Sequence, residues 1–331
     1  MRFLFFTDSH IRGNSPRSRT DDFYSTLKNK FNEIIEIINK FDVDYVLHGG
    51  DWFDRPDISP SIVREFAMII RKFGKPIYTV AGNHDIFGYN PETLSRTMLG
   101  LLEGTDILNI LKYGQPITLE KDGIRVQIYG NSYNCEIDGE KSQNYYIVKK
   151  DSGVNYCINI VHGMLLTKPF IEGLKYTLVD KILSTEADVT LAGHYHTGFG
   201  IKKIEEKYFV NPGGIARVSS QKSEITRKPQ VVIIDFKNKI EIWSENLKSA
   251  LPGEEILNRE HIEMAQNREY KLNQFFQNIE ASGEYEHVRI DINKMIEEIA
   301  SSQGLKEEVK KETIKRIDQA RQSLAGEEVE Y

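Results

Sequence analysis

The 331-residue chain predicts an α/β fold built on a central sheet. Three observations carry that prediction. Short apolar runs alternate with segments of helical period as far as residue 81, and later apolar runs follow one another with few helices between them. A content of 40% apolar and 10% aromatic residues suffices for a substantial core. Length alone fits one large domain or two ordinary ones.

Residues 2–6 form an apolar run that ends in Thr7-Asp8-Ser9-His10. Residues 21–41 place Phe23, Leu27, Phe31, Ile34, Ile35 and Ile38 at helical spacing. Residues 43–48 read as a buried strand ended by Gly49-Gly50. Residues 60–73 read as a second helix, with Ile62, Phe66, Ile69 and Ile70 on one side. Residues 77–81 make a third strand, ended by Gly82. This βαβαβ order favours helices packed on a sheet. Further strands read at 124–129, 156–161, 189–192, 208–210, 231–236 and 240–243. Their number predicts a mixed sheet or two stacked sheets. Pro252-Gly253 marks a boundary, giving a body over 1–252 and an extension over 253–331. In the extension, 254–280 reads as a polar helix. Val288, Ile290 and Ile292 alternate like a strand, and 293–300 and 305–324 read as two more helices.

The net charge of −6 is unevenly spread: residues 254–331 hold 18 acidic and 11 basic residues, a net of −7, and residues 1–253 a net of +1. A nearly neutral body that took up two divalent cations would accept a polyanion. The two cysteines, Cys135 and Cys157, match no zinc motif and make no disulfide framework. They read as buried thiols in a reducing compartment. The opening apolar run is too short for a signal-peptide core or a membrane span, so a soluble cytoplasmic protein is expected.

Five of the eight histidines sit in short polar motifs directly after predicted strands. The motifs are Asp8-Ser9-His10, Gly50-Asp51, Gly82-Asn83-His84-Asp85, His162-Gly163 and Gly193-His194-Tyr195-His196. The carboxyl ends of parallel strands share one edge of a sheet, so motifs spread over 189 residues would converge. Carboxylate, imidazole and amide oxygen suit borderline and hard divalent ions. An extended Asp8-x-His10 would offer both side chains to one ion, and His194-x-His196 likewise. Singly, each motif reads equally as a turn, a cap or a loop histidine; five in order after strands do not.

The ordered set of motifs resembles the calcineurin-like metallophosphoesterase superfamily over about residues 1–245. The resemblance implies a four-layer α/β/β/α sandwich with a dinuclear site. Carried over by motif, Asp8, His10 and His196 would hold one metal, Asn83, His162 and His194 the other, and Asp51 would bridge them. Two cations about 3.5–4 Å apart acidify a bridging water, and the hydroxide attacks phosphorus in line. His84 would assist the leaving oxygen; Asp85 would orient His84 or cap a turn. Mn²⁺ is the expected metal, with Fe, Mg and Zn as alternatives.

Within the superfamily the chain is similar to the SbcD-type double-strand-break repair nucleases. The similarity rests on Arg12, Arg17 and Arg19 in the loop after His10, on Gly50-Asp51-Trp52-Phe53-Asp54-Arg55-Pro56, and on the mixed α/β extension. Archaeal and eukaryotic members of that family commonly carry His where this chain has Asp54; bacterial members often carry Asp. The loop arginines, and Arg217 after Asn211-Pro212-Gly213-Gly214, are candidates for gripping a phosphate backbone. Lys222, Arg227 and Lys228 read as surface charges. The resemblance implies DNA as substrate and a coiled-coil ATPase of the SbcC type docked on the C-terminal helices. A homodimer is also open. Competing readings are a small-molecule metallophosphatase or phosphodiesterase, and a non-catalytic scaffold, against which the full set of ligand residues counts.

Overall fold

The computed structural model describes residues 1–171 and 173–258, with residues 307, 309, 311 and 312. The chain divides into two compact units, Met1–Ile262 and Glu263–Tyr331. The strand expected around 288–292 and the helix expected over 293–300 lie outside the described residues; residues 307, 309, 311 and 312, within the expected 305–324 helix, are helical.

In chain order the first unit runs β1 (Arg2–Phe6), α1 (Phe23–Lys40), β2 (Tyr45–His48), α2 (Pro60–Ile70), β3 (Ile77–Thr79), α3 (Met98–Gly104), β4 (Asn109–Ile110), β5 (Ile117–Lys121), β6 (Ile124–Asn131), α4 (Gln143–Tyr146), β7 (Tyr156–Gly163), β8 (Leu165–Leu166), β9 (Thr177–Leu178), β10 (Val189–His194), β11 (Gly200–Ile204), β12 (Lys207–Asn211), α5 (Lys222–Thr226), β13 (Gln230–Phe236), β14 (Ile240–Asn246) and α6 (Gly253–Ile256). Two six-stranded mixed sheets result, in the orders β14-β13-β1-β2-β3-β4 and β11-β12-β10-β7-β6-β5, with β8 and β9 as a separate pair.

The sheets stack face to face because their strands are apolar on both sides. In β1, Phe3 and Phe5 enter the core between the sheets, beside Ile158, Ile160 and Leu191. Leu4 and Phe6 face the opposite way, toward Phe31 of α1, Phe66 of α2 and Leu99 of α3. The outer face of the second sheet is covered more thinly. Val161, Ala192 and Phe209 pack there on Tyr146 of α4 and on Val179 and Ile182. The architecture is thus layered α/β/β/α with a slight fourth layer. Helix starts follow their capping chemistry: the Asp22 carboxylate accepts from Ser25 N at 3.2 Å before α1, and Pro60 opens α2.

Parallel pairing aligns the strand ends. Phe6 of β1 is level with His48 of β2, and His48 with Thr79 of β3. In the second sheet, Gly193 of β10 is level with His162 of β7. Five motif segments therefore leave the sheets at one edge.

Three sequence expectations change. Strands β5 and β11 were not anticipated, because they are half-exposed edge strands without a buried stripe. Where the helix expected over 254–280 begins, the described residues form one turn, α6, after which Leu257 is extended and bridges to Arg19; residues 259–280 lie outside the described residues. Cys135 is exposed, whereas Cys157 is buried. Among the described residues no helix is long and apolar enough to cross a membrane.

Phe5 is wholly buried between the sheets. Phe5→Ala is expected to lower unfolding stability by about 3–5 kcal/mol in urea titration. A loss below about 1 kcal/mol, the size of an average substitution, would mean that the intersheet core is not close-packed there.

Candidate metal centre

The segment after β1 runs beside the segment after β2. Asp8 N donates to Gly50 O at 3.1 Å, His10 N to Asp51 O at 3.0 Å and Ile11 N to Trp52 O at 2.8 Å. The backbone is not the extended form expected for Asp8-x-His10. Asp8, His10, Asp51 and His194 have φ values of 54°, 44°, 56° and 81°. Side-chain-bearing residues enter that region at a cost of about 1–2 kcal/mol each. The turn, rather than strand alternation, directs these side chains to one place. Gly50 and Gly82 leave the space: a Cβ at Gly50 would strike the His162 ring, and one at Gly82 the Asp51 carboxylate.

Two sets of donors result. Asp8, His10, Asp51 and His196 offer atoms all within 4.8 Å of one another, and so do Asp51, His162 and His194. Asp51 belongs to both sets. Its Oδ2 lies 3.7 Å from His10 Nε2 and 3.4 Å from His162 Nε2. His196 Nε2 is 2.9 Å from His10 Nε2 and 3.4 Å from Asp8 Oδ1. Asn83 Oδ1 lies 3.1 Å from His162 Nε2, beside the second set. A third set, His10, Asp54 and His84, adjoins the first; there Arg12 already engages the Asp54 carboxylate at 2.9 Å.

A supporting shell fixes these side chains. His162 Nδ1 donates to Gly49 O at 2.7 Å, which turns Nε2 toward Asp51. Asp8 accepts from His194 N at 3.1 Å and from Thr7 Oγ1 at 2.7 Å. The ring of His48 was not anticipated as part of the site. Gly50 N donates to its Nδ1 at 3.1 Å, so its Nε2–H donates to Ser9 Oγ at 3.0 Å, tying two ligand loops together. Its position at the end of β2, ahead of Gly49-Gly50-Asp51, was the available signal. Burial pushes His48 down to about 3, keeping it neutral.

Asp85 does not orient His84. Its carboxylate accepts from Gly82 N at 2.9 Å, Phe53 N at 3.0 Å and Trp52 N at 3.3 Å, so it clamps backbone. The His84 ring is held instead by Asp54 O, which accepts from Nδ1 at 2.8 Å.

The arginines separate. Arg12 pairs with Asp54 at the rim and Arg17 is exposed. Arg19 and Arg217 are only 7% and 1% exposed. Arg19 pairs with Asp21 at 2.6 Å, and Arg217 donates to Leu251 O. Neither can grip a phosphate backbone from there. Arg227, expected on the surface, is a half-buried partner of the buried Glu224 at 2.6 Å.

The donor set fits two divalent cations. Among the described residues, Asp51 Oδ2 and His10 Nδ1 are buried without a hydrogen-bond partner, and a buried unpaired carboxylate oxygen calls for a positive charge. Burial would raise Asp51, but His162 and His10 hold it well below the usual carboxylate range. Burial lowers His162, yet the Asp51 and Asp8 carboxylates outweigh this and lift it to about 9. Burial pushes His10 down to about 3, and burial with His162 pushes His194 down to about 4. His10 and His194 are thus ready as neutral ligands, whereas His162 must shed a proton first; burial lowers His196 too, but the Asp8 carboxylate outweighs it and raises that ring. Titration of the metal-free protein with Mn²⁺ at pH 7 should release a proton, and the release should fall by half near pH 9 and fade above it. Calorimetry in buffers of different ionisation enthalpy measures it; heat independent of buffer at pH 7 would contradict the assignment.

Residues 1–198 match the family described as Calcineurin-like phosphoesterase. The chain is 34% identical over 87 residues to the DNA double-strand break repair protein Mre11 of Thermoplasma acidophilum, covering 25% of this chain and 22% of that one. It is 32% identical over 91 residues to the protein of the same name from Methanococcus maripaludis, covering 26% and 23%. The counterpart from Sulfurisphaera tokodaii is 26% identical over 204 residues, covering 59% and 49%. Each match spans less than half of the relative's length. With well over half of its residues matched by the family and two donor sets at one sheet edge, the chain belongs to the calcineurin-like phosphoesterases.

Proposed function

We propose that the chain hydrolyses phosphodiester bonds in DNA by two-metal catalysis. The observation that carries the reading is the buried Asp51 carboxylate shared by two donor sets. Asp8, His10 and His196 would hold one cation, and Asn83, His162 and His194 the other, with Asp51 serving both. When bound, two divalent cations supply the charge that acidifies a water and neutralises phosphate oxygens. Mn²⁺ is the proposed metal; Fe, Mg and Zn suit the same donors.

The chain's own residues do the rest. His84 N donates to Asp51 Oδ1 at 2.9 Å, which fixes His84 beside the centre. Its ring lies 4.8 Å from that of His10. With Nδ1–H committed to Asp54 O, Nε2 remains for the leaving oxygen. To give up a proton from Nε2, His84 must first be doubly protonated. Asp85 acts at one remove, holding the backbone that carries Asp51 and Asn83.

DNA as substrate is supported by the names of the three relatives and by Arg12 and Arg17 at the rim. The same reading makes residues 253–331 a capping and docking extension for a coiled-coil ATPase of the SbcC type. It also allows a homodimer and sets the protein in a reducing cytoplasm. The burial of Arg19 and Arg217 favours a second reading, a phosphatase or phosphodiesterase of small molecules.

The two readings separate when the protein is given Mn²⁺ with labelled single- and double-stranded DNA and with bis-p-nitrophenyl phosphate. DNA should be cut. His84→Ala should keep its metals and lose turnover on every substrate, by about 10²–10⁴-fold. The pair Arg12→Ala and Arg17→Ala should slow DNA cleavage and flatten its salt dependence, since each phosphate contact releases a counterion. Hydrolysis of the small diester should hardly change. Equal loss on both substrates would place Arg12 behind Asp54 and His84, and unaltered DNA cleavage would favour the small-molecule reading.

A further inference from the structure

A pair of tyrosines leads away from the metal centre. The ring of Tyr133 lies 5.6 Å from that of His194 and 6.2 Å from that of His162. Tyr133 is held in place by its own N–H, which donates to Ala81 O at 2.9 Å, and by Ser132 Oγ, which accepts from Ala81 N at 2.9 Å. It is therefore fixed to the strand end that delivers Asn83. Tyr89 stands 5.8 Å from Tyr133 and is 59% exposed.

The loop that presents Tyr89 is strained and braced. Gly88 and Tyr89 have φ values of 56° and 58°. Thr93 Oγ1 accepts from Phe87 N at 2.9 Å and donates to Asn90 O at 2.7 Å. A bulky residue held left-handed on the surface costs stability and buries less than half of its surface, which points to a use outside the fold.

The segment that carries Tyr133 also borders a cavity of about 370 Å³, within the range of about 300–1,000 Å³ usual for ligand sites. Leu111, Lys112, Tyr113, Ser132, Asn134 and Tyr145 line it, so both chain neighbours of Tyr133 form its wall. Tyr113 is 60% exposed, and its ring is 5.3 Å from that of Tyr145. Two ring pairs, one against the metal-centre histidines and one in the adjoining cavity with Lys112 and Glu103, match a chain that carries a planar group at each phosphate. A purely acidic ligand would leave the rings unused, and an aliphatic one would gain burial on them but no stacking.

We propose that Tyr133, Tyr89, Tyr113 and Tyr145 form a stacking subsite for the unpaired bases of a strand whose scissile phosphate lies at the metal centre. This rests on the DNA hydrolase reading and narrows it to single-stranded or frayed ends. Every base has a π-face, so the subsite holds a strand without reading its sequence. Lys112 meets a phosphate of that strand. A base-paired duplex keeps its faces stacked internally and cannot use the rings.

Affinity of the full chain, kept metal-free with EDTA, is measured by fluorescence anisotropy for oligothymidylate and for an abasic strand of equal length. Cleavage of oligothymidylate and of bis-p-nitrophenyl phosphate is then followed with Mn²⁺. The wild type should prefer the base-bearing strand. Tyr89→Ala and Tyr113→Ala should each weaken that strand by about fivefold or more. Both should leave the abasic strand and the small diester unchanged, and Tyr→Phe at either position should restore binding. Wild-type DNA cleavage with equal affinity for the two strands, or with no effect of the alanines, would overturn the subsite and leave the hydrolase reading intact. Hydrolysis of the small diester without cleavage of any DNA would remove the reading, and the subsite with it.

Discussion

One carboxylate in a dry space governs the edge of this molecule. Asp51 is 1% exposed, and its Oδ2 stands between two imidazoles without a hydrogen bond among the described residues. Water cannot solvate it, and leaving it alone would cost several kcal/mol. The surrounding backbone is shaped to this group. The loops bearing Asp8, His10 and His194 turn through left-handed conformations to reach it, and glycines at 50 and 82 clear the room. A buried ionised carboxylate ringed by imidazoles is a poor way to stabilise a fold and a good way to hold cations.

A second arrangement keeps the centre rigid from behind. Ile215 N donates to Thr7 O and Ala216 N to Asp8 O, so the segment after β12 zips onto the end of β1. The carbonyls of the same segment face buried and half-buried basic side chains. Arg227 donates to Gly214 O at 2.5 Å and Ala216 O at 2.9 Å, Lys30 to Ile215 O at 2.6 Å and Arg19 to Arg217 O at 3.2 Å. Burial, with Arg19 nearby, holds Lys30 well below its usual range. These side chains anchor the backbone that carries Asp8 rather than meeting a ligand.

The motif residues were legible because their chemistry is local. Asp8, Asp51, Asn83, His162 and His194 each follow a buried apolar run, and parallel strands bring such positions to one edge without further information. The inner strands were legible for the same reason: two buried faces leave a continuous apolar signature. What the sequence concealed depends on neighbours distant in the chain. Arg19 and Arg217 look like free loop cations until Asp21, Leu251 and the buried carbonyls are placed around them. Asp85 looks like a partner for the adjacent His84, yet three backbone N–H groups claim it. His48 carried no motif of its own. The edge strands β5 and β11 lack a periodic stripe because solvent takes the place of one neighbour.

The shared role of Asp51 is tested most directly by crystals of the full chain grown with Mn²⁺, using anomalous scattering at the manganese edge. Two peaks are expected, one among Asp8, His10 and His196 and one among Asn83, His162 and His194, both within bonding distance of the Asp51 carboxylate. A single peak, or two peaks of which one lies out of reach of Asp51, would contradict a centre organised around that residue.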